Sequence, residues 1–255
     1  MDLELADRVF LITGGTDGLG LSLARKLVDE RALVAVCGRD RDRLERAQRH
    51  LGDDALCVRV DVTEPDGVEK FVERTIEQFH RLDGVVNNAG RSAASAVANS
   101  FDDQWREDYE LKVVAALRTV RRSLDALASS RGAVLNVLSV TARAPGANTT
   151  PTSASRAAGL ALTKSMAAEL GPLGVRANAV LVGLIESGQW ERRAHDAGVP
   201  RGTFYRQLAD DARIPLGRVG RAEEFADLAS FLLSPRASYV TGVGISLDGG
   251  LSPVI

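Results

Sequence analysis

The stretch Thr13-Gly14-Gly15-Thr16-Asp17-Gly18-Leu19-Gly20 joins an apolar run to an amphipathic one near the start of a 255-residue chain. Glycines at these positions let the backbone turn tightly and approach a pyrophosphate with no Cβ in the way. The free N–H groups of a helix start attract the phosphates. The chemistry this predicts is dinucleotide binding, because the cluster sits between a strand and a helix. A second apolar run ends at Cys37-Gly38-Arg39-Asp40. A carboxylate at such a strand end would hold the ribose hydroxyls of NAD. Arg39 instead offers a guanidinium, which suits a 2′-phosphate, so NADP is the expected cofactor and NAD the alternative. Asn136-Val137-Leu138-Ser139 closes the fifth apolar run and puts the Ser139 hydroxyl at the carboxyl edge of a sheet, where ligands bind. His50, His80 and His195 are scattered with no metal-ligand spacing, so no metal is expected.

These groups need a frame. Short apolar runs at 9–12, 33–37, 56–60, 84–86, 133–138, 175–180 and 244–247 alternate with amphipathic stretches at 18–30, 41–51, 64–79, 103–129, 153–170 and 221–233. Near-continuous apolar strands separated by helices predict a parallel sheet covered on both faces. The expected fold is α/β, a Rossmann-type doubly wound parallel sheet of about seven strands. Residues 1–255 read as a single NAD(P)-binding domain with no linker or repeat. Residues 186–211 break the alternation and carry Trp190, Phe204 and Tyr205, either as a substrate lid or as a surface helical excursion.

Composition excludes other classes. Net charge is -2, which argues against a nucleic-acid binder. Cys37 and Cys57 are too few for a secreted disulfide scaffold and read as buried, reduced thiols. No apolar window is long enough to span a membrane, and the first residues resemble no signal peptide. The expected setting is cytoplasmic, with a small-molecule substrate and neither nucleic acid nor membrane as partner. Only Lys26, Lys70, Lys112 and Lys164 of the 32 basic residues are lysine, a habit that a GC-rich coding bias explains.

In order along the chain, these motifs resemble the short-chain dehydrogenase/reductase family. Thr13-Gly14-x-x-x-Gly18-x-Gly20 is similar to its glycine signature, and Asn87-Asn88-Ala89-Gly90 to its second motif. The resemblance implies that Gly14, Thr16, Asp17, Gly18, Leu19 and Gly20 line the pyrophosphate, and that Asp61 and Val62 contact the adenine. It implies further that Asn88, Ala89 and Gly90, with Gly183, Ile185 and Ser187, lie along the rest of the cofactor. Val182 stands where the family has proline. The acid of the family's NAD enzymes would fall at Gly38. Asp17 counts against NADP, since the family's NADP enzymes often carry a base there. The family also implies a homotetramer (or homodimer), built on helices 103–129 and 153–170.

The family's catalytic tetrad is Asn, Ser, Tyr and Lys. Ser139 fills the serine position, but Lys112 stands for the asparagine, Thr152 for the tyrosine and Arg156 for the lysine. Thr152 and Arg156 share one helix face. An aliphatic hydroxyl is a weaker acid than a phenol, and a guanidinium holds its proton, so neither replaces the lost pair directly. Lys112 next to Arg156 is expected to have a depressed pKa and to become the candidate proton donor. The expected function is oxidoreduction between NADP(H) and a carbonyl or alcohol, with Ser139 and Thr152 positioning the oxygen and Lys112 or water relaying the proton. The alternatives are a nucleotide-binding member without redox activity, acting as a sensor or non-catalytic partner, and a non-redox enzyme on the same scaffold.

Overall fold

The computed structural model describes residues 1–255, apart from the side chain of Gln189. Val9–Thr13 (β1) is buried at every position, as a strand covered on both faces must be. Phe10 and Ile12 face one core while Val9 and Leu11 face the other. This is the strand period of two. With β2 (Leu33–Gly38), β3 (Leu56–Arg59), β4 (Gly84–Asn87), β5 (Ala133–Ser139), β6 (Arg176–Val182) and β7 (Gly244–Leu247) it forms one seven-stranded sheet. The order is β3-β2-β1-β4-β5-β6-β7 and every pairing is parallel. This is the doubly wound fold expected.

Helices α1 (Gly18–Asp29), α2 (Arg41–Leu51) and α9 (Ala222–Leu233) cover one face of the sheet. Helices α3 (Pro65–Phe79), α5 (Ala115–Ser130) and α6 (Thr152–Leu170) cover the other. Strand order reverses between β1 and β4, so the loops after these two strands open a crevice at the carboxyl edge. β5 and β6 run on to a final Ser139–Val182 pair, which makes Ser139 the last residue of a strand. Beneath the site a polar row ties the layers together. Asn87 Nδ2 donates to Asn136 Oδ1 at 2.8 Å, and Asn136 Nδ2 donates to Thr163 Oγ1 at 2.9 Å.

Two features differ from the sequence expectations, at 103–129 and at Cys57. The stretch 103–129 is not one α-helix: α4 (Asp102–Tyr109) passes through a π-helical turn, Glu110–Val114, into α5. Apolar spacing is kept on both sides of the turn, so periodicity alone reads straight through it. Residues 186–211 fold as α7 (Gly188–Asp196) and α8 (Arg201–Asp211) around a small core of Tyr205, Ala209, Ile214 and Val219. Trp190, Phe204 and Tyr205 pack on one another there, with ring centroids 6.3 and 6.0 Å apart in the two successive pairs. Cys37 is buried but Cys57 is only half-buried; both are free. Burial pushes the two thiols up to about 12 and about 11, so both stay protonated at neutral pH.

At the opposite edge of the sheet Asp83, 1% exposed in its side chain, accepts from Arg8 Nη1 at 3.1 Å and from Arg81 Nε at 2.8 Å and Nη2 at 2.7 Å. It also accepts the Val9 backbone N–H at 2.9 Å. No helix among the described residues is long and apolar enough to cross a membrane.

Candidate active site

The crevice is a groove of about 860 Å³ at the carboxyl ends of the strands. Gly14 has φ +65°, and a Cβ there would lie 2.9 Å from the Ala89 Cα, so the strand-to-helix turn presses directly on the loop after β4. At Gly20 a Cβ would lie 2.4 Å from the Gly14 carbonyl oxygen, so this glycine is needed for the helix to approach the strand at all. Asp17 caps α1 by accepting the Gly18 N–H at 2.8 Å.

The groove gathers Gly14, Thr16, Asp17, Gly18, Leu19, Arg39, Asp61, Val62, Asn88, Ala89, Gly90 and Ser187. Gly20, Gly183 and Ile185 are not among its walls. Gly183 instead backs onto Asp248, whose Cβ would lie 2.6 Å from an added Cβ, and Ile185 is buried in the core.

Gly38 explains the missing acid of β2. A Cβ there would lie 2.7 Å from Thr16 Oγ1, so a carboxylate at this position would have to displace the Thr16 side chain. Arg39 Nη1 pairs with Asp61 Oδ2 at 3.2 Å. A second guanidinium reaches the same end of the groove, with Arg43 Nη1 3.3 Å from Asp17 Oδ2. Asp17 is thus the counter-charge of an arginine rather than a bare repulsive carboxylate. The sequence reading overlooked Arg43; its signal was a position four residues after Arg39, in the first turn of α2.

Behind the groove the π turn turns Lys112 inward, into a small enclosed pocket that Arg156 also lines. Its side chain is 0% exposed and that of its neighbour Asp108 is 1% exposed. Lys112 Nζ donates to Asp108 Oδ1 at 2.5 Å and to Thr152 Oγ1 at 3.1 Å. Thr152 Oγ1 also accepts the Ala93 N–H at 2.9 Å. Both acceptor sites of this hydroxyl are taken, which leaves its own O–H free to donate. Ser139 is similar: its oxygen accepts from the Thr141 N–H at 3.3 Å and the Thr141 hydroxyl at 3.1 Å. The Ser155 hydroxyl donates to Asp108 Oδ2 at 2.5 Å. Arg156 donates from Nη1 to the Val137 carbonyl and presses on Gly90, while its Nε is sealed off without a partner.

Burial and, second to it, the Arg156 charge pull the Lys112 ammonium down to about 8, with Asp108 resisting. Arg156 was the expected cause of this depression, but desolvation is the larger one. Burial also lowers Arg156 to about 10. The cluster is therefore an ammonium titrating near working pH; of the four expected catalytic residues only Arg156 is among the groove's walls, while Lys112, Ser139 and Thr152 are not. Asp108 and Ser155 escaped the sequence reading, although Asp108 stands one helical turn before Lys112 and Ser155 lies between two flagged residues. No group of potential metal ligands occurs among the described residues.

Residues 14–252 match the family described as enoyl-(acyl carrier protein) reductase. The chain is 33% identical over its whole length, and over the whole of the other protein, to cis-4-hydroxycyclohexanecarboxylate dehydrogenase of Sinomonas cyclohexanicum. Among solved structures, a short-chain oxidoreductase from Pseudomonas aeruginosa PAO1 containing an atypical catalytic center superposes with a TM-score of 0.94. That match has 36% identity and covers 98% of this chain and 99% of that one; an NADPH-bound short-chain oxidoreductase from the same organism, also with an atypical catalytic center, gives a TM-score of 0.91 at 37% identity. L-sorbose reductase from Gluconobacter frateurii, complexed with NADPH and L-sorbose, gives a TM-score of 0.94 at 31% identity, with both chains fully covered.

Proposed function

The chain belongs to the short-chain dehydrogenase/reductase family, and we propose that it is an NADP-dependent oxidoreductase that interconverts a small carbonyl compound and its alcohol. The observation that carries the reading is the buried Lys112–Thr152 hydrogen bond, on the same side of the sheet edge as an intact dinucleotide groove whose wall includes Arg156. The groove fits the cofactor: the cradle at Gly14 and Gly20 admits no Cβ, and two guanidiniums flank the site suited to a 2′-phosphate. When bound, NADPH supplies the hydride equivalent. Gly14 to Leu19 would hold the pyrophosphate, Asp61 and Val62 would flank the adenine, and Arg39 and Arg43 would take the 2′-phosphate.

The protein's own part is the proton. The free O–H groups of Ser139 and Thr152 donate to the substrate oxygen. As that oxygen becomes an alcohol, the Thr152 proton passes to it and a Lys112 proton passes to Thr152 Oγ1. Lys112 is left as a neutral amine and regains its proton from solvent. The hydroxyl is never required to ionise by itself, which answers its weak acidity. Arg156 lends fixed positive charge beside Gly90. Because the ammonium titrates at about 8, reduction runs on the protonated form and falls as pH rises through 8. Oxidation needs the neutral amine and rises over the same range.

Three expected outcomes test this reading. NADPH consumption is measured across ketones, quinones and ketoacyl thioesters, and turnover with at least one class is expected. Tight NADPH binding with no turnover would instead make the chain a nucleotide-binding protein without redox activity. Thr152→Val, close in shape, is expected to lose about 10²-fold or more in kcat, with Thr152→Ser largely active; equal activity of the two variants would remove the hydroxyl from the relay. Arg43→Ala and Arg39→Ala are each expected to weaken NADPH binding about tenfold or more, as loss of a charge-assisted hydrogen bond does, with NADH binding unmoved. Fluorescence titration of both cofactors reads this, and a parallel loss of NADH affinity would refute the phosphate contact.

The whole chain is proposed to act as one dinucleotide-binding domain, with 186–211 as a lid over the groove. Support comes from α7, where Arg192 Nη1 lies 3.9 Å from Asp17 and Gly188 rests against the same carboxylate. A homotetramer built on α4–α5 and α6 is proposed from the family, with light scattering as its check. The proposed setting is the cytoplasm, which the two free thiols suit.

A further inference from the structure

Asp108 is more deeply placed than a helix ion pair needs. A Lys–Asp pair four residues apart normally lies in water and contributes only a few tenths of a kcal/mol. Here both side chains are excluded from solvent. Buried pairs of this kind are often no better for stability than apolar side chains of the same size, so stability gives this one no purpose. Its geometry does. One carboxylate oxygen takes the Lys112 ammonium and the other takes the Ser155 hydroxyl from α6. The carboxylate is therefore pinned between two helices and cannot swing away. The ammonium it holds keeps a second proton on Thr152 Oγ1.

We propose that Asp108, fixed by Ser155, is a positioning residue that keeps Lys112 charged and aimed at Thr152. The proposal rests on the reading of Lys112 as proton source, and the test separates the two. The groups facing Lys112 are Asp108 from α4, Thr152 and Arg156 from α6, and Arg91 from the loop after β4. Both arginines repel the ammonium, and Asp108 is the single carboxylate among these groups. With Asp108 neutralised, two cations and the loss of water would act unopposed. The lysine would then shed its proton at neutral pH and have none to give. Asp108 never touches substrate; it acts only through Lys112.

The scarcity of lysine makes the test direct. With only four lysines in the chain, isotope-labelled lysine gives few side-chain signals by NMR, and Lys112→Arg assigns the one that matters. In the full-length wild type, Lys112 is expected to be an ammonium at pH 6.5 and to titrate near 8. Asp108→Asn keeps the shape and the acceptor for Ser155. It is expected to lower the Lys112 midpoint by about 1–3 pH units, the effect of one close opposite charge. The fall of reductive kcat with pH should move down by the same amount, with KM for NADPH unchanged. A midpoint that does not move overturns the proposal. A midpoint that moves while the kcat profile stays put upholds Asp108's hold on Lys112 and removes Lys112 as the proton source. Should the variant fail to fold, the wild-type spectrum still decides, because a neutral Lys112 at pH 6.5 overturns the proposal.

Discussion

Lys112→Met is expected to lower the reductive kcat by about 10²–10⁴-fold, the range of a lost general acid, and to leave NADPH affinity unchanged. The variant removes the ammonium whose proton Thr152 relays. It also strands the Asp108 carboxylate, 1% exposed in its side chain, with Ser155 as its remaining donor. Orphaning a buried charge costs about 3–5 kcal/mol, so a fall in activity alone could be a fall in folded protein. The double variant Lys112→Met, Asp108→Asn removes that ambiguity. It carries no buried charge at either position and is expected to recover most of the lost thermal stability without recovering turnover. Wild-type turnover in the double variant would exclude Lys112 from the reaction. Intermediate activity that no longer varies through pH 8 would point to solvent supplying the proton slowly through Thr152.

A second large effect on stability is expected far from the site. Asp83→Ala removes a carboxylate that joins Arg8, Arg81 and the Val9 N–H at the rear edge of β1 and β4. The arginines are 30% and 48% exposed in their side chains and can return to water. The Val9 N–H cannot, because Val9 is fully buried. An unsatisfied buried donor and a broken buried ion pair together put the loss at about 3 kcal/mol. For a chain of this length that lowers Tm by roughly 6–12 °C. Asp83→Asn keeps an acceptor for the N–H and should lose less. Equal losses in the two variants would assign the effect to charge rather than to the stranded N–H. Turnover below the melting range should be unaffected in both, since nothing in this network reaches the groove.

Much of the fold was legible because its signals are local and repeated. Apolar runs buried on both faces need no partner to be recognised, and the glycine cluster carries its own geometry in its spacing. Strand ends at Ser139 and Val182 were read one and two residues short, since the last pair of β5 and β6 is fixed by pairing rather than by composition. Lys112 stood out because it breaks a pattern. Asp108 did not, because it sits among the acidic residues Asp102, Asp103 and Glu107 of α4 and reads as one more solvated charge. Only the fold reveals that this one points inward. Arg43 was missed for a related reason: a guanidinium on an exposed helix start means little until Asp17 is seen opposite it. Trp190, Phe204 and Tyr205 mark a segment that reads as a lid or as a surface helical excursion, and spacing alone does not show that the three rings pack on one another.

The π turn at Glu110–Val114 holds one residue more than an α-helix would over the same rise. Deleting Leu111 would return the segment to a regular α-helix and leave α4 and α5 in register with the core, because the bulge is what absorbs the extra residue. Val120 and Leu127 would stay buried on the sheet, and Asp108 would stay beside Ser155. The spacing from Asp108 to Lys112 would fall from four residues to three, a rotation of about 100° between them. The shorter helix would keep the core and lose the geometry of the buried pair. The length of this segment is therefore as diagnostic of the site as the lysine itself. A related chain with Lys112's counterpart but no extra residue would be expected to carry the charge without its support.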